Sequence, residues 1–365
     1  MRHTSSRTGM TFRVWLNATL LAAAALLAGS AAAIEKVTLG IPTVVGPEYA
    51  DFVFARELGF FRDEGIELQL VGFQGSGVVI PQVVNKSVPF ALAHSAMVIT
   101  AVAKGEPLPV RFVYNYLRAT TSDFAVLENG PVKTLADLKG RKLGIGSLTF
   151  ASIPMTRTAL KDLGLEWQKD VEIRPVGVGA AAWKQLETGQ VDALNLYYSE
   201  DLKMSLSGIR IRQIPYPDHL RALFGSAMLA HVDMIRENPK LVGAMGRAMA
   251  KGAVACAAAR ETCARAFWKF DATARPTAEK EAEWVANTVR VLDLNYQSVG
   301  WFPGGKTEWG SFADKTLDAY IDALHKSQLI PRADLRLDLI YVNTFVPEFN
   351  RFDAAAVVRK ARGGN

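Results

Sequence analysis

Thiols and imidazoles are scarce in this chain. Two Cys and five His in 365 residues are too few thiolates for a closed four-ligand zinc site, and no paired metal-ligand motif is present. Basic runs are absent as well. The formal net charge is +6, but Arg2, Arg7 and Arg13 stand in the first 33 residues without any acid, so residues 34–365 carry an excess of only three. Such a mild excess excludes the electrostatic footprint of a nucleic-acid binder. Beyond the first segment no run of 18 apolar residues occurs, so no later stretch reads as a spanning helix. What remains is 49% hydrophobic and 21% charged. That composition excludes a disordered tail and a disulfide-framed miniprotein, and the length accommodates two domains of about 100–200 residues.

The first 33 residues read as an address. Three arginines precede an apolar stretch from Val14 to Ala28, followed by Gly29-Ser30-Ala31-Ala32-Ala33. This is the pattern of a cleaved secretory signal, with cleavage expected after Ala33; an uncleaved anchor is the alternative. No Cys lies near the cleavage point for lipid attachment, and no adjacent Arg pair indicates a twin-arginine route. The expected location is the periplasm.

Hydrophobic periodicity then predicts alternating strands and helices: strands at Lys36–Ile41, Glu67–Val71 and Val88–Ala93, with helices at Pro47–Leu58 and Gly77–Asn85. The order recurs. Gly144-Ile145 stands 104 residues after Gly40-Ile41, Glu172 stands 105 after Glu67, and Val191 stands 103 after Val88. This predicts two similar α/β lobes with mostly parallel sheets and helices on both faces. Pro175 suits an edge strand. The expected division is 34–120 with 231–365 for the first lobe and 121–230 for the second. Ser226–Ala230 is expected to pair with Phe124–Leu127 as one of two crossings that form a hinge. Asn238 and Pro239 mark the start of a helix whose stripe runs from Leu241 to Cys256, and helices follow near Thr277–Leu292 and Ser311–Lys326. This helical third is expected to pack onto one lobe.

In open α/β sheets ligands sit beyond the carboxyl ends of the strands. Two segments there, Gln74-Gly75-Ser76-Gly77 and Gly146-Ser147-Leu148-Thr149, read as helix openings, either ordinary caps or anion-binding N-termini. The candidate ligand contacts are Thr43, Tyr49, Ser76, Gly77, His94 and Ser95, with Asn115, Ser147, Thr149, Gly179, Tyr197 and Tyr198. Each has a structural reading beside it, and one of the two adjacent tyrosines is expected to be core. Arg118 is near a strand end, with its direction open. Cys256 and Cys263 are seven apart, about 10 Å along a straight helix and beyond disulfide reach. A helix break near Ala259–Thr262 would allow a bridge, and both readings stand.

The segments Lys36–Ile41 and Ala55-Arg56-Glu57-Leu58-Gly59-Phe60-Phe61-Arg62-Asp63-Glu64-Gly65-Ile66-Glu67-Leu68 closely resemble the opening of periplasmic solute-binding proteins of ABC importers. The similar branch is the sulfonate-, taurine- and nitrate-binding group together with the THI5-like thiamine-precursor group. Ala103-Lys104-Gly105, Thr134–Lys142, Leu186–Ala193 and Asn343-Thr344-Phe345 extend the resemblance in family order. Val88-Pro89-Phe90 departs from it, lacking the usual acid after the valine. The resemblance implies a type II periplasmic-binding-protein fold with a ligand cleft between lobes, trapping by closure, and delivery to a membrane permease by a monomer. The expected cargo is a small organic anion resembling a sulfonate, nitrate or carboxylate. The alternative is a thiamine-precursor pyrimidine or another flat heteroaromatic. No cofactor and no nucleic acid is expected. An enzyme on the same scaffold, desulfinase-like or pyrimidine-forming, is the remaining alternative; it lacks a reactive Cys in the cleft loops.

Overall fold

The computed structural model describes residues 34–106, 108–148, 150, 152–221, 225–299 and 308–364, the last five of 281–299 by backbone only. Residues 1–33, where a signal segment is expected, and Thr149 therefore lie outside the described residues. Residues Lys36–Asn365 make one unit, built on two five-stranded sheets.

The strands are β1 (Glu35–Ile41), β2 (Ile66–Gly72), β3 (Phe90–His94), β4 (Val110–Asn115) and β5 (Ser122–Leu127). They continue as β6 (Lys142–Ile145), β7 (Glu172–Pro175), β8 (Ala193–Tyr197), β9 (Ile211–Ile214) and β10 (Ser226–His231). One sheet has the order β2-β1-β3-β10-β4 and the other β7-β6-β8-β5-β9. The two orders are the same once β1–β4 are matched to β6–β9 and β10 to β5, which is the duplication visible in the sequence. Pro175 closes β7 at a sheet edge, where its missing N–H is tolerated. The repeated glycines have a packing reason. A Cβ on Gly40 would stand 2.7 Å from Val79, and one on Gly144 would stand 2.7 Å from Leu194, so both strands need a bare position for close approach.

Each sheet holds one reversed strand. β10 runs antiparallel to β3 and β4, and β5 runs antiparallel to β8 and β9. The expected pairing of Ser226–Ala230 with Phe124–Leu127 is therefore incorrect: Ser226 is opposite His94, and Phe124 is opposite Asn195 and Ile214. β10 accordingly belongs to the sheet of β1–β4. Ala227, Met228, Leu229 and Ala230 are wholly buried, as a strand inside a sheet requires. The two crossings do touch, at one point. The Leu117 amide donates to the Ser226 carbonyl (2.8 Å), and the Gly225 amide donates to the Leu117 carbonyl (2.7 Å).

The helices that matter for the cleft follow strand ends: α1 (Ala50–Glu57), α2 (Ser76–Val84), α3 (Ser95–Ala103), α4 (Ile153–Asp162), α5 (Ala180–Glu187) and α6 (Tyr198–Leu206). The C-terminal part adds α7 (Pro239–Ala258), α8 (Arg260–Ala266), α9 (Glu281–Val299) and α10 (Asp314–Lys326). Asn238 caps α7, its side-chain oxygen accepting from the Leu241 amide at 3.3 Å. The stripe predicted on α7 is buried and faces α1, so closely that a Cβ on Gly252 would meet Ala55 at 2.8 Å. The helical part does not stay on one lobe. α9 rests on both the Pro47–Tyr49 turn of the first lobe and α6 of the second, while α10 packs on α4. The apolar faces show why: Leu317, Tyr320, Ile321 and Leu324 of α10 join a core cluster with residues of both sheets.

The helix breaks at Ala259 (φ −143°, ψ 61°), and across the break Cys256 and Cys263 form a disulfide with Cα atoms 5.1 Å apart. Of the two readings of this pair, the broken helix holds. Cross-linking so short a loop stabilises by roughly 2.5 kcal/mol through the unfolded chain. Cys263→Ser is expected to lower the melting midpoint by several degrees. Reduced wild-type protein should melt with the variant; equal midpoints for oxidised wild type and variant would show that the bridge contributes nothing.

Candidate functional site

Two strand ends face each other from equivalent places in the duplicated lobes. His94 ends β3 and Tyr197 ends β8, and in both the chain passes from extended backbone straight into a helix with no side-chain cap. Between the lobes lies a cavity of about 50 Å³. The first lobe lines it with Thr43, Glu48, Tyr49, Ser76, His94 and Ser226; Thr121, Tyr197 and Ser199 line it from the other side, and Leu117 of the crossing closes it.

Burial decides the chemistry of this wall. His94 is 8% exposed, and burial pulls its imidazole down to about 4, so it is neutral at physiological pH. Its backbone amide donates to Ser76 Oγ at 3.0 Å, but its Nδ1 has no hydrogen-bond partner among the described residues. Ser226 sits directly opposite His94 on the neighbouring strand, and its Oγ is equally without a partner among them. Leaving a buried polar group unsatisfied costs about 1–3 kcal/mol, and these two stand side by side on the cavity wall. Tyr49 stacks on Phe52 (centroids 6.2 Å apart), and Tyr197 packs against Phe150 (4.6 Å). Burial raises both phenols, and Glu48 adds to it for each, so both keep their protons.

A chain of polar contacts spans the cleft beside the cavity. Glu48 Oε2 is 3.8 Å from Lys203 Nζ, Lys203 Nζ is 3.2 Å from Glu200 Oε1, and Glu200 Oε2 accepts from the Gly179 amide at 2.7 Å. Burial pulls the Lys203 ammonium down, but the Glu48 and Glu200 carboxylates outweigh it and hold it above its ordinary value. Gly179 and Gly75, at the starts of α5 and α2, both take positive φ (79° and 100°), which favours glycine there.

The placements sort the sequence candidates. Thr43, Tyr49, Ser76, His94 and Tyr197 line the cavity. Tyr198 is half-buried outside it, its amide donating to the Thr121 carbonyl (2.7 Å). Ser95 is fully buried, and Asn115 donates its side-chain amide to the Ser311 carbonyl at 3.2 Å. Gly77 faces a neighbouring groove instead. Ser147 is half-buried off the lining, and its loop does not open a helix directly: α4 starts only at Ile153. The Phe150 ring fills that niche, since a Cβ on Gly146 would stand 2.5 Å from it. The Gly179 end of α5 is taken by Glu200. Arg118 bonds the Glu308 carbonyl and Ser311 Oγ. The sequence reading passed over Glu48, Thr121, Ser199 and Ser226. Glu48 and Ser199 are sequence neighbours of the candidates Tyr49 and Tyr198, and Ser226 follows from the true pairing of β10.

The profile of the NMT1/THI5-like family matches residues 46–262. A protein named for thiamine biosynthesis from Haemophilus influenzae is 31% identical over 160 residues, 44% of this chain and 49% of its own length. The riboflavin-binding protein RibY of Chloroflexus aurantiacus is 23% identical over 222 residues, 60% of this chain and 62% of its own. The chain thus spans about half to three-fifths of these relatives. Among solved structures, the periplasmic aliphatic sulphonate binding protein SsuA of Escherichia coli superposes with a TM-score of 0.63 at 18% identity, covering 85% of this chain and 93% of that one. DSZB, a desulfurization enzyme, superposes less well, with a TM-score of 0.53 at 15% identity, covering 87% and 100%. These likenesses give the fold, two α/β lobes of the periplasmic-binding-protein type. With the profile match over more than half of its length, the chain belongs to the NMT1/THI5-like family.

Proposed function

We propose that the chain is the exported, periplasmic solute-binding component of an ABC importer, and that it traps a flat, uncharged or cationic nitrogen heterocycle of the aminopyrimidine class for delivery to a permease. The observation that carries this is the cavity wall itself. It offers a carboxylate (Glu48), two phenols, and the unsatisfied Nδ1 of His94 beside Ser226 Oγ, and no Lys or Arg is among its described lining residues. An aminopyrimidine presents an amine to donate, ring nitrogens to accept and a face for Tyr49 and Tyr197 to cover.

The organic anion favoured by the sequence becomes the second reading. Of the two openings expected to hold it, the Gly146 loop is met by the Phe150 ring and leads into no helix directly, and Ser76 Oγ of the other accepts the His94 amide; the Gly179 end of α5 is taken by Glu200. The names of the two sequence relatives, thiamine biosynthesis and riboflavin binding, concern molecules that contain flat nitrogen heterocycles. As for catalysis, Cys256 and Cys263 are bridged on the far helices, and Ser76 meets the backbone of His94 rather than its ring. That pairing supplies no activated nucleophile. Capture requires opening. About 50 Å³ holds a few waters, against roughly 300–1,000 Å³ for small-molecule pockets, so the lobes must part about the Leu117–Gly225 contact and close again.

Calorimetry on residues 34–365 with an aminopyrimidine panel and, in parallel, alkanesulfonates, taurine and nitrate tests the reading. Aminopyrimidine binding is expected, and Tyr197→Ala should weaken it at least tenfold, about 1.4 kcal/mol. Tight binding of a sulfonate or nitrate with none of a heterocycle would overturn the reading. Replacing Glu200 with Ala frees the Gly179 amide and leaves Lys203 one carboxylate short. That variant should gain measurable affinity for a simple alkanesulfonate that the wild type lacks; no gain would mean that Glu200 does not guard the site. NMR titration of His94 should give a midpoint near 4. The folded value is depressed, so the stability it supports is present above about 6.5 and is lost as the pH falls toward 4. A midpoint near 6.5 would instead place the imidazole in water.

A further inference from the structure

A second and larger cavity, about 440 Å³, lies in the groove where α2 and α3 of the first lobe face α4 of the second. It is separated from the cleft cavity by the start of α2: Ser76 lines one and Gly77 the other. Its volume is within the range of small-molecule sites. The walls are mainly apolar. Ile80, Met97 and Ala101 come from the first lobe, Ile153 and Pro154 from α4, and Leu329 from the segment after α10. Met97 is 39% exposed, a large apolar side chain turned to solvent at this groove.

The charges around it are not evenly matched. Arg157, on the second turn of α4, and Lys104, at the end of α3, both line the groove, and neither makes an ion pair among the described residues. Glu106 is the single acid among the described lining residues, and it makes none there either. The first turn of α4 also belongs to the wall through Ile153 and Pro154, and the start of a helix carries partial positive charge. An apolar trough with two free cations and a positive helix end matches a molecule with an apolar body and one negative head. A guanidinium can hold such a head in bidentate fashion.

We propose that this groove is a second binding site, distinct from the cleft cavity, for an amphiphilic organic anion. The head pairs with Arg157 and Lys104, and the apolar body lies along Met97, Ile80 and Leu329. Octanoate is the probe, with octanol as its uncharged counterpart. In calorimetry on the folded protein, octanoate should bind saturably with one equivalent, and octanol at least tenfold more weakly. Arg157→Glu, on an exposed side chain, should weaken octanoate at least tenfold, and Thr100→Trp, which fills the groove, should abolish binding. Tyr197→Ala should leave it unchanged. Equal affinity for octanol, indifference to Arg157→Glu, or loss in Tyr197→Ala would each overturn the proposal. The last result would place octanoate in the cleft.

Discussion

Each sheet takes its fourth strand from the chain that links it to the other, and everything about the cleft follows from this constraint. β5, on the way out, completes the second sheet; β10, on the way back, completes the first. Neither lobe can therefore be finished without the crossing. The crossing is then pinned at Leu117, which bonds both Gly225 and Ser226. Because Ser226 is also the first paired residue of β10, opposite His94, the crossing and the cavity wall share a residue. A rotation about the crossing must move the orphan oxygen of Ser226 relative to Tyr197 on the other lobe. On the proposed reading, closure and hydrogen bonding to a ligand would in this way be one event.

The duplicated scaffold keeps its backbone and diverges in its strand ends. Gly75 and Gly179 both take positive φ, yet the Gly75 amide donates to the Pro42 carbonyl and the Gly179 amide to the Glu200 carboxylate. Glu200 satisfies the Gly179 amide and pairs with Lys203, which in turn reaches Glu48 across the cleft. A partly buried carboxylate is costly unless it is paired and hydrogen-bonded, and here it is both. The arrangement leaves an anion no open donor at that end, and it ties the two lobes where α9 already bridges them.

Much of this was legible in the sequence, for physical reasons. The strand–helix alternation and the near-constant spacing of Gly40 and Gly144 are imposed by packing, since a side chain would strike Val79 of α2 at the first and Leu194 of the neighbouring strand at the second. The Asn238 cap was legible because its hydrogen bond is local. The partner of β10 was not. A strand buried on both faces reads as a plain apolar run, so Ser226–Ala230 fits beside Phe124 or beside His94 equally well until the sheets are assembled. Glu200 was missed for a related reason. Its oxygen meets an amide 21 residues away, and no local pattern encodes that. Cys256 and Cys263 sit between these cases: spacing admitted two readings, and the backbone at Ala259 decided.

The closed arrangement has an energetic consequence for capture. α10 and α4 share one apolar cluster with both sheets, and Lys203 holds Glu48 across the cleft. Opening must give up part of this, and a protein that closes readily without ligand binds with an apparent affinity reduced by the fraction left open to entry. Nδ1 of His94 and Oγ of Ser226 bear on that closure, since neither has a protein partner among the described residues. A cavity of about 50 Å³ leaves them only a few waters, whereas on the proposed reading a ligand with matching groups bonds both directly. The liganded closed state then gains direct bonds that the ligand-free one makes only through water. The difference between those two states, rather than the strength of any single contact, sets how selectively the lobes close.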